Sequence, residues 1–408
     1  MTILRIAAGL ITLTAMLSYL NSRYLRLPPT IGMMLISLIA CLAAILLERF
    51  GLVSRVPIHA LLGHINLEQT FTQGMLSFLL FAGAMHTDVG ELKSNGPLIA
   101  VLATFGVVIS ALFIGTAVYW ALAAVGAPCP YAACLLFGIV ISPTDPVAVL
   151  GILKDVGVPQ KMRTVVSAEA LFNDGVGIVA FFVFYPLALG GTGPQAAGVF
   201  KLFLTHAAGG AALGAALGWL ASLMIDSIED VLTQSLITIA LASGGYALAS
   251  ALGTSGPIAI VVAGLFVSGR WPETSEAHHV LPVFWDLLDS VLNAVLFVMI
   301  GLEVAAVSLR ALPLVVGALT VPVALLARWA SVEASALFSF SRGRLKDGVR
   351  NILVWGGLRG GVAVALALSL PAGPQKDLWV TATYVVVAFS ILVQGTTIGP
   401  LAKRRQAL

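Results

Sequence analysis

Long apolar stretches alternate with short polar segments along the whole chain. Thirteen stretches carry this character: residues 4–21, 30–48, 72–88, 97–125, 131–153, 160–190, 197–225, 232–252, 255–269, 281–308, 311–340, 348–370 and 378–402. A hydrocarbon core of about 30 Å is spanned by about 20 helical residues, and most of the stretches reach that length. Lipid offers no partner to backbone N–H and C=O groups, so each stretch must satisfy its own, as a helix does. The stretches are too long and too evenly apolar for the alternating strands of a membrane barrel. The pattern predicts an all-α polytopic membrane protein of about 13 transmembrane helices. Only Arg5 stands in the first stretch's basic region, and no small-residue cleavage site precedes the Asn21–Pro29 loop. It is therefore read as a helix rather than a cleaved signal.

Composition narrows the function classes. Hydrophobic residues make up 59% of the 408 and charged residues 10%, against about 45–50% and about 25% in soluble domains. So little charge cannot coat a water-facing surface. A soluble enzyme, a disordered chain and a nucleic-acid binder are excluded. The net charge of +3 implies no polyanionic partner. Cys41, Cys129 and Cys134 stand in apolar surroundings without metal-site spacing, and packing is their expected role. No nucleotide-binding motif appears, so ATP drive is not expected.

Counting Lys and Arg at the stretch ends and in the segments between them orients the chain. With the N-terminus outside, fourteen fall on the inner side and six on the outer. The positive-inside rule then favours an outer N-terminus and a cytoplasmic C-terminus. The remaining two, Arg328 and Arg359, lie deep inside stretches. No segment between stretches is long enough to form a domain, so the chemistry is expected within the bilayer.

An odd count of stretches suggests two groups of six around a middle helix, the seventh, which carries Gly209, Gly210, Gly214 and Gly218. The groups would then be inverted relative to each other, as in many transporters. The fifth stretch is interrupted by Ser142-Pro143-Thr144-Asp145-Pro146. Its counterpart, the twelfth, is interrupted by Gly356-Gly357-Leu358-Arg359-Gly360-Gly361. Paired interruptions in corresponding helices point to a binding site at the membrane midplane.

Ionisable groups deep in a membrane helix are costly and are functional candidates by default. Asp145 lies about 14 residues into the fifth stretch and Asp174 about 14 residues into the antiparallel sixth, about 20 Å from each start at ~1.5 Å per residue. The two carboxylates can therefore meet. With oxygens from Thr144, Asn173 and the freed carbonyls near Ser142, they compose a site for a hard monovalent cation. The same oxygens can hold protons instead, and competition for one site with alternating access suffices for exchange. Glu169 and Arg359 lie equally deep and are expected to pair with each other as a structural ion pair. Asp286 and Asp289, near the inner end of the tenth stretch, are candidates for a funnel that draws cations inward. Glu303, at its outer end, reads as interfacial. Arg328 and Glu333, on the eleventh, read as local or interfacial. No histidine stands beside the aspartates in sequence.

Thr144-Asp145-Pro146, followed by Glu169-Ala170-Leu171-Phe172-Asn173-Asp174-Gly175, resembles the first branch of the monovalent cation:proton antiporters, the bacterial and eukaryotic sodium/proton exchangers. Trp355-Gly356-Gly357-Leu358-Arg359-Gly360-Gly361 resembles that family's arginine motif. Leu27-Pro28-Pro29-Thr30-Ile31-Gly32 and the run Phe284–Glu303 are similar as well. The resemblance implies thirteen helices with crossed, unwound fifth and twelfth spans, in a homodimer of the inner membrane. It implies an interface domain (residues 1–95 and 232–308), a core domain (97–191 and 311–403) and a linker helix (197–226). The core would carry the ion past the interface in an elevator-like motion. Asp174 would be the essential carrier, with Asp145 and Thr144 lining the site. Asn173 before Asp174 is the pattern of the electroneutral branch, one cation for one proton. Glu169 would pair with Arg359. The implied cargo is sodium, lithium or potassium, with protons and no cofactor. Two positions depart from the pattern: Ala170 stands where a serine is common, and Ala82 follows Phe81 where an acidic residue is common.

Two other functions fit two midplane aspartates. A cation-coupled symporter of an organic solute would need a larger cluster of polar pocket residues. An intramembrane aspartyl protease would use the pair as a catalytic dyad, but the Thr-Asp-Pro and Asn-Asp-Gly contexts do not resemble those enzymes.

Overall fold

The computed structural model describes residues 3–49, 74–188, 196–269, 276–304, 310–338, 347–371 and 373–406. Its regular elements are helices. In chain order they are α1 (Ile3–Leu20), α2 (Pro29–Arg49), α3 (Leu76–Met85), α4 (Val89–Ala124), α5 (Tyr131–Ile141), α6 (Val147–Asp155), α7 (Gln160–Ala188) and α8 (Ala196–Asp226). Then follow α9 (Val231–Ala251), α10 (Gly256–Ser268), α11 (Glu276–Glu303), α12 (Ala311–Phe338), α13 (Asp347–Trp355), α14 (Gly361–Leu368), α15 (Pro374–Phe389) and α16 (Gly395–Gln406). Each apolar stretch coincides with one helix, or with a pair. The fifth is α5 with α6 and the twelfth α13 with α14. The thirteenth is α15 and α16, joined through the π-helical residues Ser390–Gln394.

Among the described residues, 7 helical spans are each long and apolar enough to cross a membrane. The chain is a multi-pass membrane protein. The expectation of about 13 crossings also counts the shorter apolar helices α3, α5 and α10, the half-helix pairs, and α1 and α2 singly. The last two meet at 107°. Their turn is held by Asn21, whose Nδ2 donates to Leu27 O at 2.9 Å.

Helix packing sorts into two groups. In one, α2 lies along α11, α3 against α10, and α8 and α9 against α10. In the other, α4 packs on α5, α7 and α12, and α15 on α12 and α14. Lipid tails are as apolar as leucine, so close van der Waals fit must join such helices, and small residues allow it. Gly210, Gly214 and Gly218 of α8, spaced four apart, face Ser255 at the N-cap of α10 and Ala259 and Ala263 on it. A Cβ on Gly214 would stand 2.2 Å from Ala259 O. The glycines of the seventh stretch thus form a packing seam. In the other group a Cβ on Gly138 would stand 2.2 Å from Ala111 O, which brings α5 onto α4.

The second group holds both broken helices. Pro143 and Pro146 supply no backbone N–H and cannot continue a helix. Accordingly α5 stops at Ile141 and α6 starts at Val147. The glycine-rich run does the same between Trp355 and Gly361. The series α4, α5/α6, α7 is echoed by α12, α13/α14, α15: long helix, broken pair, long helix. This order matches the expected repeat.

Candidate functional site

The two unwound segments touch backbone to backbone, Asp145 N donating to Leu358 O at 2.8 Å. Around this contact the sequence-predicted residues converge from three elements. Asn173 and Asp174 are consecutive on α7, so their side chains diverge by about 100°. Asn173, 1% exposed, turns to the unwound segment. Its Nδ2 donates to Thr144 Oγ1 and to Glu169 Oε1, each at 2.7 Å, and its Oδ1 accepts from Thr144 N at 3.1 Å. Asn173 therefore fastens residue 144 to α7. Asp174 turns the other way, into a cavity.

That cavity, of about 530 Å³, is lined by Asp145 and Asp174 together. On α7, Thr164, Ser167, Leu171 and Asp174 follow one helix face along its wall. On α11, Asp286, Asp289, Ser290 and Asn293 do the same. Asp286, Lys154 and Gln160 are exposed and mark the mouth. His86 Nε2 stands 3.8 Å from Asp286 Oδ1 there. Both funnel candidates thus share one cavity with the midplane pair. Ala82 and Ala170 are buried, and the wall beside them is made by Gly83 and Leu171.

The expected Glu169–Arg359 pair is corrected by the structure. Glu169, 1% exposed, is held by Arg328 of α12 through two parallel bonds, Nη1 to Oε1 and Nη2 to Oε2, both 2.8 Å. Arg328 Nε donates to Leu353 O at 3.0 Å. Arg359 Nη1 instead donates to Gly357 O at 2.7 Å. The physical reason is position. Arg359 sits on the unwound segment and meets a carbonyl freed beyond the C-terminal end of α13, where a cation is favoured. Arg328 reaches Glu169 from the neighbouring helix as a planar fork matched to a carboxylate. Arg328 is thus not local or interfacial, whereas Glu333 bonds Arg350 near the start of α13.

Sequence reasoning missed Arg328's role, although its depth in an apolar stretch was the available signal. It also missed Ser167 and Thr164, whose small hydroxyls carry no signal until the cavity is known. Gly360 gains a role too. A Cβ there would lie 1.8 Å from Asp145 Oδ2, so only glycine leaves room for that carboxylate.

Two broken helices that touch at their unwound segments beside a carboxylate-lined cavity are the architecture of a membrane transporter. Residues 10–404 match the family model described as sodium/hydrogen exchanger, transmembrane, and the chain belongs to that family. The Na(+)/H(+) antiporter NhaP of Pseudomonas aeruginosa is 40% identical over 98% of this chain and 96% of its own length. NhaH of Halobacillus dabanensis, another Na(+)/H(+) antiporter, is 35% identical over 83% of each. The solved structure of the sodium proton antiporter MjNhaP1 from Methanocaldococcus jannaschii at pH 8 superposes with a TM-score of 0.74. It shares 19% identity over 98% of this chain and 99% of its own and attests the fold. The chain is accordingly an antiporter-family transporter rather than an enzyme. Its family works on transported ions, with no cofactor implied.

Proposed function

We propose that the protein exchanges one monovalent cation, sodium foremost with lithium or potassium as alternatives, for one proton at the Asp145/Asp174 site. The observation that carries this reading is the single cavity that ends on both carboxylates beside the crossed unwound segments. Two carboxylates in a low-dielectric pocket repel each other, and either a cation or a proton relieves that repulsion. The two cargoes therefore compete, and neither returns without the other. Asp174 is the carrier, and Asp145 with Thr144 completes the oxygen set. Asn173 fixes Thr144, and the Glu169–Arg328 pair holds α7 against α12.

The mouth residues Lys154, Gln160 and Asp286 belong to segments that the basic-residue count places in the cytoplasm. The cavity is thus read as inward-facing, with the N-terminus outside, in the inner membrane. Asp286 and Asp289 concentrate cations in it. The two packing groups support an interface domain (residues 1–95 and 232–308) and a core domain (97–191 and 311–403), joined by the linker helix 197–226. The interface domain is assigned to a homodimer, and movement of the core past it would alternate access.

The test uses proteoliposomes with an imposed pH gradient and a pH-sensitive dye. Sodium, lithium and potassium are added in turn, with and without a clamped membrane potential. A dye response to sodium that ignores the potential is expected, and Asp174→Asn is expected to abolish it in a protein that still folds. Normal exchange by that variant removes the carrier assignment. Silence of the folded parent chain with every cation removes the exchange reading.

A further inference from the structure

The α11 wall of the cavity holds a polar group to which the exchange site assigns no role. Asp286, Asp289, Asn293 and Leu296 fall within about 80° of arc on α11, and all four line the cavity. Asp286 is exposed at the mouth, whereas Asn293 is 3% exposed. Leu296 reaches the crossing. A Cβ on Gly361 would run into its side chain, as a Cβ on the adjacent Gly360 would run into Asp145. Asn293 stands one turn, about 4.5 Å, before Leu296. It is the deepest polar residue that α11 gives to the cavity. It belongs to the packing group opposite that of Asp174.

One hydrogen bond sets the direction of its amide. Nδ2 donates to Asp289 O at 2.9 Å, so Oδ1 lies on the other side of the planar group. Among the described residues nothing donates to that oxygen. A buried acceptor without a donor is uncommon and asks for an explanation. The ionised carboxylates that share the cavity only accept, so none of them can be its partner. A hard cation can, because amide and carboxylate oxygens bind it together. Asp289, one turn nearer the mouth, lies within electrostatic reach of Asp145, so this part of α11 stands close to the pair. The wall across the cavity has little neutral oxygen to give. Asn173 is committed to Thr144 and Glu169, and Ser142 Oγ donates to Gly138 O at 2.6 Å. Ala170 supplies no side-chain oxygen.

We propose that Asn293 is a cation ligand, its Oδ1 adding a neutral oxygen from α11 to the carboxylates of Asp145 and Asp174. The proposal rests on the exchange reading and deepens it. A carbonyl oxygen replaces part of the hydration shell of a bare cation. A proton sits on a carboxylate and needs no such oxygen. Asn293 therefore acts on one cargo only: it sets the affinity for sodium and leaves the affinity for protons alone. The cation is thereby held between the two packing groups, with its charge balanced from one and its neutral ligand supplied by the other.

The experiment measures sodium-driven exchange in proteoliposomes, with half-saturating sodium followed across pH. At high pH that value sits on a plateau, and it rises below the pH at which protons begin to compete. Asn293→Leu is expected to raise the plateau about tenfold, the low end of what a polar group contributes toward a charged partner. The maximal rate, and the pH at which the rise begins, should stay where they are in the parent. Asn293→Asp keeps an oxygen in place and should return the plateau to the parent value or below. Asn293→Ala takes the place of the leucine variant if that one does not fold. An unchanged plateau in the folded variants overturns the proposal, as does a plateau that aspartate fails to restore. A shift of the competing pH equal to the shift of the plateau overturns it too, since a general distortion of the site would move both. Each of these leaves exchange standing. Silence of the folded parent chain with every cation removes exchange itself and this site with it.

Discussion

Arg328 and Arg359 are the two Lys or Arg side chains set deep inside apolar stretches rather than at their ends, and the carboxylate of Glu169 is hydrogen-bonded by one of them. The bidentate contact from Arg328, at 2.8 Å for each arm, satisfies both oxygens of a buried acid. Breaking such a pair strands the remaining charge and costs about 3–5 kcal/mol. Arg359 holds one carbonyl, and its electrostatic neighbours include Arg328 itself. Its loss removes that like-charge neighbour together with a longer-range attraction to Glu169, so the two effects offset each other. Arg328→Ala is therefore expected to lower thermal stability well beyond Arg359→Ala, read by unfolding in detergent. The reverse order would restore the Glu169–Arg359 pair. At this scale the sequence made the demand legible but not the partner. A buried glutamate requires a cation, and two were available at suitable depth. Which one arrives depends on the packing of α12 along α4 and on the direction of the unwound segment, and neither leaves a trace in composition. Asp145 and Asp174 stood out as candidates because ionisable groups are expensive in lipid, and Thr144 and Asn173 because each adjoins one of them. Ser167 and Thr164 are inexpensive and did not.

Breaks and boundaries were the most legible features at the scale of elements. Prolines 143 and 146 and the glycines of residues 356–361 cannot sustain a helix, and the chain unwinds at both places. The apolar stretches locate the helices, but their ends differ by up to eight residues, as where α4 begins at Val89 behind the Asp88 cap rather than at 97. There the hydrogen bonds from Gly90 N and Glu91 N to Asp88 decide the start, in a polar segment that hydropathy ignores. The glycines also divide by role. Gly360 sits against Asp145, whereas a Cβ on Gly244 of α9 would meet nothing within 4 Å. Gly360→Ala must displace the carboxylate or part the two unwound segments. It is expected to cut exchange at least about tenfold, within the roughly hundredfold that a misplacement of an ångström can cost. Gly244→Ala should leave exchange unchanged and stability equal or slightly higher, since alanine suits a helix better by about 1 kcal/mol. Indistinguishable exchange rates for the two variants would mean that Asp145 does not need its present position.

At the scale of the whole molecule, one cavity among the described residues carries the Asp145/Asp174 pair at its depth and Asp286 and Asp289 along its wall. If proton and cation share that pair, the coupling needs no separate sensor, because occupancy by one excludes the other. The sign of the pH effect follows. As pH falls, protons fill the site, and cation binding must displace them. Half-saturating sodium then rises by about tenfold for each unit of pH in the range where the site is mostly protonated, as linkage between competing ligands requires. As pH rises past that range, half-saturation levels off. The maximal rate declines instead, because fewer protons are present to complete the return step. Exchange at equal pH on both faces is therefore expected to pass through a maximum, with the acid limb relieved by added sodium and the alkaline limb indifferent to it. Initial rates across a matrix of pH and sodium, measured in proteoliposomes with no imposed gradient of protons, check both limbs. A half-saturating sodium concentration that stays constant over the acid limb would show that the proton binds elsewhere than at Asp145 and Asp174, and competition could not then be the source of coupling.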